Sequence, residues 1–189
     1  MKIPEFKIRT DLALEEREGL KEAAEEVSGV SFKKWEGKRS AAQITEVKVL
    51  NEHGAKALGK PMGSYLTLEA DKLLMPDEDF HSEVSDELAL LLKGLLKQKT
   101  GKNILVAGLG NQSVTPDSLG PRTVSNLCVS AEGLKAIAPG VMAQTGMETA
   151  RILLGIIKEV QPDLVIAIDA LAARSIRRLG TTIQVTDTG

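Results

Sequence analysis

Two aspartates lie just beyond short apolar runs of this sequence, where an acid is well placed to do chemistry. Asp169 directly follows the run 164–168 (LVIAI), and Asp117 lies in the segment TPDSLGP beyond the run 104–107 (ILVA). Such runs are typical of buried parallel strands, and open α/β sheets bind ligands at the carboxyl ends of their strands. If the two strands are neighbours, one carboxylate would activate water while the other, protonated, supplies a proton to a leaving amine. This chemistry suits peptide hydrolysis.

Each aspartate also has a plainer structural interpretation. Thr115 and Pro116 are typical of a helix start, where Asp117 in the first turn would meet the positive end of the helix dipole. Asp169 would likewise cap the turn after its strand, because an unpaired buried charge is costly. Since the dipole favours an ionised Asp117, we predict Asp117 as the general base and Asp169 as the general acid.

Two glycine-rich loops are the next candidates. Gly108, Gly110 and Asn111 follow the run 104–107, and Gly140 precedes a predicted helix. We predict that these four residues line a substrate groove, because glycine lets the backbone approach a ligand closely. The first loop is also a weak match to a dinucleotide-binding turn, with Ser113 in place of the third glycine. A nucleotide- or partner-binding α/β module, or simple turns, therefore stay open as alternatives.

The sequence offers few residues for metal-dependent, serine or cysteine catalysis. His53 and His81 lie in polar stretches that we expect to be exposed, and neither an HExxH nor a GxSxG motif is present. Cys128 lies in an apolar setting and is predicted as a core residue. We therefore expect no metal and no cofactor.

Composition narrows the class of protein. The 189 residues include 24 basic and 26 acidic side chains, a net charge of -2, so direct nucleic-acid binding is not expected. One cysteine cannot form an internal disulfide, and neither a signal peptide nor a membrane-spanning apolar run is visible. The sequence predicts a cytoplasmic protein without membrane attachment.

The periodicity of apolar residues predicts an α/β fold, a three-layer αβα arrangement around a mostly parallel central sheet. A mobile start and a short helix from Leu12 are expected, and the basic stretch 31–40 is interpreted as a solvated connection. Lys99–Gly101 would stop the first long helix, and a capping box from Thr145 to Glu148 would start the second. The predicted strands are 43–50, 65–69, 104–107, 164–168 and 181–185, and the predicted long helices are 82–97 and 147–160.

Four separated motifs of this sequence resemble the spore germination proteases, in order and across most of the chain. They are RTDLALE (9–15), GLGNQSVTPDSLGP (108–121), APGVMAQTGMET (138–149) and PDLVIAIDALAARS (162–175).

The resemblance implies an endopeptidase of the spore core that begins the degradation of small acid-soluble spore proteins at germination. It further implies a self-processing zymogen, a homotetramer, and an atypical aspartic protease whose catalytic aspartates are Asp117 and Asp169. The implied fold is similar to that of hydrogenase-maturation endopeptidases, in which acids at matching places bind metal. A metal-binding protease of that kind is therefore the alternative enzyme hypothesis.

The resemblance also implies a propeptide. Cleavage within the first motif, between Asp11 and Leu12, would make residues 1–11 a propeptide and residues 12–189 the protease domain. Because the family's chains are longer, we expect a further C-terminal portion, whose residues would help to complete the cleft.

Overall fold

The computed structural model describes residues 9–21, 28–96, 103–130 and 133–188. The predicted stop Lys99–Gly101 and most of the predicted mobile start lie outside these residues. The helices are α1 (Ala13–Lys21), α2 (Glu52–Leu58), α3 (Glu78–Leu96), α4 (Leu119–Ser125), α5 (Met142–Thr145) and α6 (Thr149–Val160). The strands are β1 (Val30–Glu36), β2 (Gln43–Val49), β3 (Gly63–Glu69), β4 (Ile104–Gly108), β5 (Leu134–Ile137), β6 (Leu164–Ile168) and β7 (Thr182–Thr186).

The chain divides into two compact units, which are described separately: unit 1 holds residues 1–97 and 171–189, and unit 2 holds residues 98–170. Unit 1 contains a four-stranded antiparallel sheet in the order β1-β2-β3-β7. Its faces differ along β2, where Ile44 and Val47 lie an odd number of residues apart and therefore point to opposite sides. The sheet thus has two faces to cover.

Helices cover both faces of this sheet. Ile44 packs in a cluster with Val84 and Leu91 of α3, whereas Val47 packs in a second cluster with Leu58 of α2 and Ala13 of α1. Burial of apolar surface in each cluster contributes about 25 cal/mol of stabilisation per Å², which holds the helices against the sheet. Unit 1 therefore has three layers, but around an antiparallel sheet.

Two sequence-based predictions about this sheet are wrong. The stretch 31–40 contains all but the first residue of strand β1, in which Phe32 and Trp35 pair with Val47 and Ile44 of β2. Adjacent Lys33 and Lys34 hide the alternation of a strand, and lysines of this kind are common on sheet edges. The final strand β7 was predicted to extend a parallel sheet, yet it runs antiparallel to β3.

Unit 2 contains a three-stranded parallel sheet in the order β5-β4-β6. The central strand β4 is almost wholly buried, as its continuous apolar run predicts, whereas the residues of β6 alternate between half-buried and exposed. The fold is therefore mixed α/β with two sheets. A single central parallel sheet is a wrong prediction, because the pairing of distant strands is not encoded in local periodicity. The similarity to hydrogenase-maturation proteases stays a prediction.

Two further predictions about unit 2 need correction. The second long helix begins only at Thr149, and no side-chain cap bond is found at Glu148, because Thr145 lies in the separate turn α5. Cys128 is exposed rather than buried, since it follows the end of α4. Among the described residues, no helix is long and apolar enough to cross a membrane.

Candidate active site

The two predicted catalytic aspartates follow strands that are hydrogen-bonded neighbours. Strands β4 and β6 are parallel and in register up to the pair Gly108 and Ile168. Their pairing continues one residue further, because the N–H of Leu109 donates to the carbonyl oxygen of Ile168 at 2.8 Å. Asp169 is the next residue after Ile168. Both acid-bearing segments therefore start from the same edge of one sheet.

Asp117 is held against the loop that leaves β4. The N–H of Asn111 donates to the backbone carbonyl of Asp117 at 2.9 Å. Gly110 has a φ of 109°, and a Cβ placed on it would meet the carbonyl oxygen of Asp117 and approach its Oδ1 to 2.9 Å. Because a side chain at position 110 would displace Asp117, glycine is required there by both conformation and space.

The segment after Asp117 also packs tightly on the strand ends. A Cβ at Gly120 would fall against the carbonyl oxygens of Ile168 and Leu109, and one at Gly108 against the carbonyl of Gly120. Such backbone-to-backbone approach is possible only without side chains at positions 108 and 120. The local fold thereby brings the start of α4 onto the end of β6, directly before Asp169.

The two carboxyls have different surroundings. Asp117 is half-buried in a 3₁₀ turn, Thr115–Asp117, that precedes α4. Thr115 does not cap this turn with its side chain, so the predicted N-cap is wrong, although the predicted helix start is close. Asp169 is exposed, and its Oδ1 accepts a hydrogen bond from the N–H of Ala170 at 2.8 Å, the turn-capping contact that the plainer interpretation predicts.

The chain was compared with known proteins. A family model described as "Germination protease" matches residues 8–189. Curated proteins named "Germination protease" match 96% or 97% of the chain, with 48% identity in Caldanaerobacter subterraneus subsp. tengcongensis, 41% in Oceanobacillus iheyensis and 39% in Clostridium perfringens. The chain belongs to the germination protease family. It spans between 56% and 61% of the length of these three relatives.

In this germination protease family member, Asn111 and Gly140 are linked by a residue that sequence reasoning missed. Gln144 of α5 donates from Nε2 to Oδ1 of Asn111 at 2.8 Å. A Cβ on Gly140, which has a φ of 76°, would lie 3.3 Å from Oε1 of the same Gln144. The only sequence signal for Gln144 is its place within the 138–149 motif. Whether the four groove candidates contact substrate stays a prediction.

A shallow cavity of about 530 Å³ lies on the α4 side of Asp117, and the groove candidates do not line it. Arg122 and Asn126 contribute its polar groups together with Thr115 and Ser118. Arg122 was not predicted as a site residue, because a single arginine on a helix carries no signal of its own. The cavity therefore adds a second surface beside Asp117 to the glycine-rich loop.

The predicted cleavage residues lie in unit 1. Asp11 has its N–H bonded to the carbonyl oxygen of Ala172 at 2.8 Å, and Leu12 is buried beside the start of α1. His53 and His81 are exposed, as predicted, and the ring of each donates a hydrogen bond to a backbone carbonyl oxygen. Among the described residues, no group of three or more His, Cys, Asp or Glu side chains is arranged to hold a metal ion.

Proposed function

We propose that the protein is the endopeptidase that begins the degradation of small acid-soluble spore proteins during germination, acting in the spore core. Membership of the germination protease family supports a protease. The observation that carries the proposal is the pairing of β4 with β6, because it starts both aspartate-bearing segments at one sheet edge. Ligand sites of open α/β sheets lie at such edges.

In the proposed mechanism Asp117 and Asp169 act directly on water and the peptide bond. Asp117, in the turn that leads into α4, takes a proton from the attacking water. The water oxygen forms a bond to the carbonyl carbon, and protonated Asp169 gives its proton to the amide nitrogen as the C–N bond breaks. The immediate products are a carboxylic acid and an amine, which become a carboxylate and an ammonium group when one proton moves between them, and the proton of the dyad has passed from Asp169 to Asp117.

The proposal includes the form in which the enzyme is made. We infer a zymogen that removes residues 1–11 by its own cleavage between Asp11 and Leu12, and that assembles as a homotetramer. The acidic residue before the bond and the apolar residue after it would then also indicate the preference for substrate. Light scattering of the purified complete protein would give the mass expected for four chains.

The decisive experiment replaces each aspartate by its isosteric amide. In the complete protein, Asp117→Asn and Asp169→Asn should each lower cleavage of a purified small acid-soluble spore protein by at least about 100-fold, because general acid or base catalysis contributes roughly that much. Product peptides are counted by mass spectrometry. The matched control is Glu159→Gln, which removes an exposed carboxylate from α6 and should leave the rate unchanged.

Two results would contradict the mechanism. Wild-type cleavage by either asparagine variant would exclude that aspartate as a catalytic group. Loss of activity on dialysis against a chelator, restored by a divalent metal, would favour the metal-binding alternative over direct acid–base chemistry. Hydrogen exchange of β4 amides in each variant shows that a lost rate is not a lost fold.

A further inference from the structure

We propose that the segment carrying the Asp11–Leu12 bond is a lock. Residues 10–14, here called the N-terminal strap, hold this bond in a form that no protease cleft accepts until the strap detaches from unit 1. The inference rests on the cleavage position proposed above, and it concerns how that cleavage is regulated. Lys60 and Gln184 are the residues that keep the lock closed.

The carbonyl oxygen of the bond itself is held by two donors. Lys60 donates from Nζ to the carbonyl oxygen of Asp11 at 2.9 Å, and Gln184 donates from Nε2 at 3.2 Å. Lys60 is directed there by the end of α2, where Gly59 adopts a left-handed conformation with a φ of 64°. A bond from a charged donor is stronger than one between neutral groups, so Lys60 is the firmer of the two contacts.

The backbone on both sides of the bond is also occupied. The N–H of Asp11 donates to the carbonyl of Ala172 at 2.8 Å, and Oδ2 of Asp11 accepts from the N–H of Ala172 at 2.9 Å. The N–H of Ala13 donates to Oε1 of Gln184 at 2.9 Å. An extended peptide binds through the same main-chain groups. The strap cannot offer them while they are used within unit 1.

Burial and helix formation complete the lock. Leu12 is 2% exposed and Leu14 is 3% exposed, while α1 begins at Ala13, the second residue after the bond. To enter a cleft as an extended strand, the chain would have to remove both leucines from the core and unwind the first turn of α1. Cleavage is therefore limited by the fraction of molecules in which the strap is open.

The test uses an added endopeptidase that cuts after aspartate and glutamate, so that it does not depend on the chain's own activity. Lys60→Met removes the charged donor and keeps the length of the side chain, and Gln184→Leu removes both contacts of the amide. Each variant should increase the rate of cutting at Asp11–Leu12 by about tenfold under native conditions, because the open fraction rises as these bonds are lost. The matched control Lys56→Met, on an exposed lysine of α2, should leave the rate unchanged.

Three outcomes separate the lock from the proposed function. Faster cutting of both variants, with unchanged hydrogen exchange at Ile44 and Val47 of β2, supports the lock. If one variant loses that protection against exchange, Lys60→Arg is tested instead; because it keeps a cation, it should resist cutting as the wild type does. Unchanged cutting in both variants overturns it. Faster external cutting in a complete protein that never processes itself keeps the lock and rejects self-cleavage at this bond.

Discussion

In unit 1 an antiparallel sheet is packed on both faces, whereas in unit 2 a parallel sheet buries few side chains completely. Of the 17 apolar side chains that are buried among the described residues, 14 belong to unit 1 and three to unit 2. Those three are neighbours in β4: Leu105, Val106 and Ala107. Unit 1 is therefore stabilised mainly by side-chain packing between several helices and strands. Side-chain packing contributes much less to unit 2.

In unit 2, close packing of backbone against backbone takes the place of some of this side-chain packing. Gly108 and Gly120 allow the start of α4 to lie directly on the ends of β4 and β6. This contact also sets the positions of the residues on either side of it, Asp117 before Gly120 and Asp169 after Ile168. The comparison teaches that in unit 2 the same backbone contact serves stability and the candidate active site, whereas unit 1 is stabilised mainly by side-chain packing.

The largest effect is expected where that backbone contact is broken. Gly120→Val would place a branched side chain against the carbonyl oxygens of Ile168 and Leu109, which cannot move without separating α4 from the sheet. We expect unit 2 to lose about 4 kcal/mol of stability, more than the roughly 1–3 kcal/mol usual for overpacking, because the atoms in the way belong to the backbone. Hydrogen exchange of the Leu105 and Val106 amides would measure it.

The control for Gly120→Val is the same change at an open position. A Cβ at Gly155 in α6 meets nothing within 4 Å, so Gly155→Val should alter exchange in β4 by less than about 1 kcal/mol. Full protection of β4 in Gly120→Val would contradict the view that unit 2 depends on backbone approach.

The next effect tests the polar contacts of unit 1. Glu15 is 3% exposed and accepts hydrogen bonds from the backbone N–H groups of Arg174 at 2.6 Å and Ser175 at 2.9 Å. It also lies 3.3 Å from Nη1 of Arg178, which binds Glu18 and Glu69 as well. Glu15→Ala would leave these part-buried N–H donors without their acceptor, and we expect a loss of about 3 kcal/mol. Denaturant unfolding followed at Trp35 measures this loss.

The pH dependence of stability supplies the control for Glu15. Burial acts to raise the pKa of Glu15, but hydrogen bonds from Thr10, Arg174, Ser175 and Arg178 outweigh it and leave the pKa below its usual 4.5. A lowered folded-state pKa gives stability that is present above pH 4.5 and is lost as the pH falls through the folded value. Glu15→Gln should therefore flatten the decline of stability below pH 4.5. An unchanged decline would assign it to other carboxylates.

Much of the fold follows from local periodicity. The alternation in β2 and the leucine spacing of α3 predict both elements, with α3 starting four residues before the predicted 82. What could not be predicted is non-local. Strand β7 pairs with β3, more than 110 residues earlier.

The candidate site shows the same division. The positions of Asp117 and Asp169 beyond two parallel strands follow from the two apolar runs, although β4 is buried as its run predicts and β6 is partly exposed. The contact between Gln144 and Asn111 joins positions 33 residues apart and depends on how α5 turns, which no local pattern encodes. Sequence therefore predicts which residues stand at a sheet edge, and tertiary structure decides which side chains meet there.

The smallest effect is expected from replacing a helix glycine by alanine, once in each unit. A Cβ at Gly94 of α3 or at Gly155 of α6 meets nothing within 4 Å, so alanine adds no clash at either position. Each Gly→Ala change should stabilise its own helix by about 0.5–1 kcal/mol, because glycine loses more backbone entropy on folding. If the units open separately, Gly94→Ala slows exchange of Ile44 only and Gly155→Ala slows exchange of Val106 only, by about twofold to fivefold. Equal slowing of both amides in both variants would mean that the chain opens as one cooperative unit, and the contrast between the two cores would then have no energetic counterpart.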